Sequence, residues 1–85
     1  LVHAPATYAE VLRLLDKGES EPLKSQAHRL KGLAWNLAAE KLSAVCAQIE
    51  ECAAHAQVEE ARLRKSSLIE EWDSLIAFLG KDLAA

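Results

Sequence analysis

The chain has 85 residues, 51% of them hydrophobic, and a formal charge of −3; that size supports one compact core and excludes a two-domain enzyme. No apolar run approaches the roughly 20 residues that span a bilayer, and the N-terminus lacks the basic-then-apolar layout of a secretion signal, so a soluble domain without direct membrane contact is expected. The 10 basic residues are scattered among 13 acidic ones, which leaves no cationic stripe for a phosphate backbone and argues against nucleic acid as a partner.

With three Gly, two Pro and abundant Ala, Leu, Glu and Lys, the composition favours helix nearly everywhere. Thr7 followed by Glu10 reads as a capping box ahead of Tyr8, Val11, Leu12 and Leu15, and Gly18 supplies a left-handed stop. Ser20 can cap a second helix with Glu21 and Pro22 in its first turn, and its apolar stripe runs Leu23, Ala27, Leu30, Ala34, Leu37 at steps of three and four. Asn36 is the expected break, and a third helix begins near Ala38 or Ala39 with Leu42, Val45, Cys46, Ile49, Ala53 and Ala56 on one side. The pattern weakens from His55 to Gln57. A last helix from about Val58 carries Ala61, Lys65, Leu68, Ile69, Trp72, Leu75, Ile76 and Leu79, and Gly80 is its natural stop.

Four amphipathic helices on short connections cannot bury their stripes singly. The expected fold is therefore all-α, an antiparallel up-and-down four-helix bundle forming a single domain over residues 1–85. Leu1 to Ala6 are too few to shield the end of such a bundle, so a fragment of a longer chain is expected.

Cys46 and Cys52 lie about 240° apart around one helix, too far for a local bridge, and buried free thiols are expected. Only His55 is near them in sequence, so no metal site is expected, and neither thiol has an activating base. His3 and His55 have no complementary ligand or nucleophile nearby and receive no chemistry. Trp72 falls on the last helix's stripe and reads as core.

The informative stretch is Ala27-His28-Arg29-Leu30-Lys31-Gly32, followed by Leu33-Ala34-Trp35-Asn36-Leu37-Ala38-Ala39. At about 100° per residue, Lys31, Gly32 and Trp35 fall within about 60° of His28, while Leu30 points nearly opposite. His28 is thus placed on the solvent side. Neutral imidazole is a good nucleophile at phosphorus, and an ammonium one turn away can offset the charge of an arriving phosphoryl group. Gly32 in a helix interior costs about 1 kcal/mol against Ala, which close approach by a partner would explain. His-x-x-Lys alone is weak evidence, since a solvated His beside an incidental Lys is the commoner case.

Read together, the stretch resembles the histidine-containing phosphotransfer (HPt) family, whose pattern is Ala-His-x-Leu-Lys-Gly, then small residues, then Asn-Leu-Gly-Ala. Ala27-His28, Leu30-Lys31-Gly32, Ala34, Asn36-Leu37 and Ala39 match, and the likeness extends through Gly18-Glu19, Leu42, Cys46 and Ile49-Glu50 over roughly residues 8 to 79. The resemblance implies a bundle with no ATP site and no autokinase activity, monomeric in isolation. In such domains the histidine, here His28, takes a phosphoryl group from an aspartate of one receiver domain and passes it to an aspartate of another. Mg²⁺ is expected on the partner receiver and no cofactor in this chain. The resemblance further implies a cytoplasmic domain, expected at the C-terminal end of a hybrid, membrane-anchored sensor kinase.

Lys31 is then expected to stabilise charge, and Glu50 stands where the family has a Gln or Glu that can orient the histidine through one ring nitrogen. Gln26, Arg29, Gly32 and Trp35 are the expected partner-binding residues. Two positions depart from the pattern: Trp35 replaces a small residue, and Ala38 replaces the Gly that opens the turn, a mild change only if its φ is negative. The rival expectation is a non-catalytic helical interaction module that presents the Trp35 face to a protein.

Overall fold

The computed structural model describes residues 4–84, with side chains described through 80. His3 lies outside the described residues, as do the first three positions of the Leu1–Ala6 segment. Helix α1 spans Ala4–Lys17, α2 Ser20–Asn36, α3 Glu40–Ala54, α4 Val58–Arg62 and α5 Lys65–Ala84. The described chain contains no strand, and α4 and α5 together form the fourth member of an all-α bundle measuring 43 × 20 × 19 Å. No described helix is long and apolar enough to cross a membrane.

The core follows from the stripes. Val11, Leu14 and Leu15 of α1 meet Leu23, Ala27, Leu30 and Ala34 of α2, with Leu42, Cys46, Ile49 and Ala53 from α3 and Ala61, Leu68, Trp72 and Leu75 from the fourth member. The pairing of α2 with α3 is the most extensive in the bundle, while α1 packs on α2 and α3 packs on α4 and α5. Tyr8 stacks on Trp72 with centroids 4.3 Å apart and planes 8° from parallel, tying α1 to α5.

Several boundaries differ from the expected ones. Thr7 is no cap: α1 is already helical at Ala4, Thr7 is buried in its interior, and Glu10 pairs instead with Arg13 one turn on. Burial of Ala4 and Thr7 on one face outweighs the capping pattern. Glu19 rather than Ser20 precedes α2, without a side-chain cap, and Ser20 is the first helical residue. The expected last helix breaks at Leu63–Arg64, where the Leu63 amide is shared between the Glu59 and Glu60 carbonyls and the Arg64 amide donates to Ala61, a tightened turn. The break accompanies a clasp on the C-terminal end of α1. Arg62 donates to the carbonyls of Leu15 at 2.8 Å and Asp16 at 3.1 Å, and Lys65 donates to the Asp16 carboxylate at 2.8 Å. Cations thereby satisfy carbonyls that the helix leaves open. Gly80 does not stop α5, which continues to Ala84; left-handed backbone at a described glycine occurs only at Gly18, with φ +75°. Ile76 and Ala56, expected on buried stripes, are exposed, and Cys52 is only half-buried.

The turns after α2 and α3 are closed by the same device. The Ala39 amide donates to Ala34 and the Ala38 amide to Trp35, while the Gln57 amide donates to Cys52 and the Ala56 amide to Ala53. Each is a Schellman ending with its left-handed residue at Ala38 (φ +58°) or Ala56 (φ +55°). Ala38 is therefore not the mild replacement that a negative φ would make it, because Cβ meets the following carbonyl in this region at a cost of about 1–2 kcal/mol. Ala38→Gly and Ala56→Gly are each expected to stabilise the bundle by about 0.5–1 kcal/mol, the strain relieved less the added unfolded-chain entropy. Urea unfolding midpoints at unchanged slope check this; a fall in either midpoint contradicts it.

Candidate functional site

Because α2 turns Leu23, Ala27, Leu30 and Ala34 inward, the opposite side of the helix carries His28, whose side chain is 68% exposed. The short 37–39 connection folds α3 back along α2 and brings Glu50 beside it. His28 Nδ1 lies 2.8 Å from Glu50 Oε2, and Lys31 Nζ donates to Glu50 Oε1 at 2.6 Å. One carboxylate thus bridges the histidine and the lysine. Lys31 in turn is held from below, since the buried Ser43 hydroxyl donates to its backbone carbonyl at 3.3 Å.

The ordinary ionisation of a carboxylate near neutral pH gives the direction of the histidine bond. Partial burial would raise the Glu50 carboxyl, but hydrogen bonds from Lys31 and His28, with their charges, outweigh it and hold Glu50 below the ordinary carboxylate range. An ionised carboxylate only accepts hydrogen bonds. Nδ1 must therefore carry the proton, which in neutral imidazole leaves the lone pair on Nε2, the nitrogen not held by Glu50. Glu21, Lys24 and Ser25 complete a shallow basin around His28 and Glu50.

The remaining expected site residues divide by exposure. Arg29 and Gly32 are exposed and Gln26 is half-buried, all on the helix that carries His28. A Cβ built on Gly32 would meet nothing within 4 Å, so no contact inside the bundle requires glycine there. Trp35 is 67% exposed and packs no core, although its neighbour Ala34 is buried. Burial pushes the Cys46 thiol up to about 12 against the opposing pull of Lys31, which makes it a poor nucleophile. His55 pairs with Glu51 one turn away at 2.9 Å. Among the described residues no three His, Cys, Asp or Glu side chains are grouped as metal ligands.

Ser43 and the flanking Lys24 went unremarked in the sequence. Ser43 could have been found, because it is a polar side chain beside Leu42 and Cys46 on a buried stripe; Lys24 gives no such signal. The family model of the Hpt domain matches residues 1–81. No curated protein and no solved structure matches the chain.

Proposed function

From the chain's membership of the Hpt domain family, a family of phosphotransfer modules in two-component phosphorelays, we propose that His28 is the phosphoryl-carrying residue. Its Nε2 takes the phosphoryl group from an aspartyl phosphate of one receiver domain and yields it to the aspartate of another. The observation that carries this reading is the 2.8 Å contact of Glu50 with Nδ1 on an exposed side chain, which with an ionised carboxylate supports an Nδ1–H tautomer and a free Nε2 as the nucleophile.

The chain's contribution is placement. Phosphoryl transfer depends mainly on alignment and charge stabilisation, and a ring held on a packed helix by a hydrogen bond meets the first need. Lys31 supplies a nearby cation. Mg²⁺, on this reading, belongs to the receiver, and a hybrid sensor kinase is the expected parent. Incubation with a phosphorylated receiver tests the assignment: an acid-labile, base-stable label on His28 supports it, whereas receiver binding without label supports the rival interaction module.

Gly32 belongs to the docking surface in this reading, since open space surrounds it. Gly32→Ala is expected to stabilise the helix by about 0.5–1 kcal/mol while weakening receiver affinity. Unfolding and receiver titration of the same variant check both halves. A stabilised variant with unchanged affinity would remove Gly32 from the interface.

A further inference from the structure

We propose that Glu50 and Lys31 form a paired device that sets the lifetime of phosphorylated His28, Glu50 keeping the Nδ1 proton on the ring and Lys31 limiting that hold. The inference rests on the carrier role of His28 and concerns what happens after the phosphoryl group arrives.

When Nε2 attacks, its lone pair forms the N–P bond, and the P–O bond to the receiver's aspartyl oxygen breaks with its electron pair leaving on the carboxylate. Nε2 carried no proton, so none departs. The ring becomes a cation that still bears the Nδ1 proton. In that state the next nucleophile, a receiver carboxylate or water, expels neutral imidazole. Once the Nδ1 proton is lost, the leaving group would be an imidazolide anion, and the phosphoryl group is trapped. Whether the domain passes its cargo on or stores it is therefore decided at Nδ1.

Glu50 Oε2 lies 2.8 Å from the Nδ1 that bears that proton. A carboxylate there favours the cationic ring, more strongly than a neutral amide could. Its second oxygen is taken by Lys31 at 2.6 Å, with the lysine side chain only 33% exposed, so part of its field is spent on the lysine. The other charged groups around the ring, Glu21 and Lys24, lie on α2 itself and are opposite in sign. Lys31 thus acts through Glu50, as a positioning and charge-sharing residue.

The test uses phosphoramidate as a small phosphoryl donor and follows loss of the phosphohistidine by ³¹P NMR from about pH 5 to 9. In Glu50→Gln the change from labile to stable is expected at lower pH, with a half-life near neutrality about three- to tenfold longer. Lys31→Ala is expected to shift it to higher pH, with a half-life about two- to threefold shorter near pH 8. Lys31→Arg should restore the parent value, and Lys31→Ala should have little effect when combined with Glu50→Gln. A structural defect would move both single variants the same way. Shifts of the same sign, or a full Lys31→Ala effect in the absence of Glu50, overturn the inference and leave His28 as carrier. Label on another residue overturns the carrier role and this inference with it.

Discussion

His28→Gln is expected to lose phosphoryl acceptance from a phosphorylated receiver completely, with a thermal midpoint unchanged from the parent. The loss is total because the other candidate nucleophiles described near the site are weak: burial raises the Cys46 thiol out of range, the Ser43 hydroxyl is buried and donates to a backbone carbonyl, and the Ser25 hydroxyl in the basin is an alcohol that stays protonated near neutral pH. Stability is spared because the side chain is 68% exposed, and a change at such a position stays within about 0.5 kcal/mol. Gln also retains a side-chain N–H that can reach Glu50, so the carboxylate is not left with Lys31 alone. Radiolabel transfer and a melting curve on one preparation decide the matter. Residual label, or a collapsed midpoint, would move the chemistry elsewhere or make His28 structural.

Trp35→Ala is expected to weaken receiver binding by about 1–3 kcal/mol while leaving the bundle's stability nearly intact. Trp35 is 67% exposed, two helical turns from His28 and on the same side of α2. An aromatic beside a transfer site gives a partner apolar area to cover, and aromatic anchors often dominate interfaces. Leu63 is a suitable control: it is 69% exposed, but it sits at the break between α4 and α5. Leu63→Ala should leave receiver affinity alone. Titration of a cognate receiver, with unfolding of both variants, separates the cases. An unchanged dissociation constant for Trp35→Ala would exclude the indole from the interface.

Much of this arrangement was legible in the residues. The α2 stripe is read directly because its apolar steps of three and four leave His28 no place in the core, and the left-handed stop at Gly18 is announced by the one residue that adopts it freely. The breaks after Asn36 and near His55 to Gln57 were legible, but the left-handed backbone at Ala38 and Ala56 was hidden because alanine is a helix former and gives no such signal; tertiary closure of the bundle imposes a conformation the local sequence disfavours. The break at Leu63–Arg64 was hidden for the opposite reason, since the spacing from Ala61 to Leu68 continues without interruption. Its accompaniment, the grip of Arg62 and Lys65 on α1, joins residues more than 45 positions apart, as the separation of 47 between Leu15 and Arg62 shows. The Glu50 bridge is of the same kind. Sequence places Glu50 on a helix, but only the packing of α3 on α2 brings its two oxygens to His28 and Lys31.

One histidine, set partway along one side of an elongated bundle, also constrains traffic. On the proposed carrier role of His28, donor and acceptor receivers would have to cover the same face and could not bind together, so transfer would follow a ping-pong cycle in which one leaves before the other docks. Throughput would then be limited by residence time as much as by chemistry. An indole that holds a receiver too long would stall the relay, and the useful affinity of this surface has an upper bound as well as a lower one.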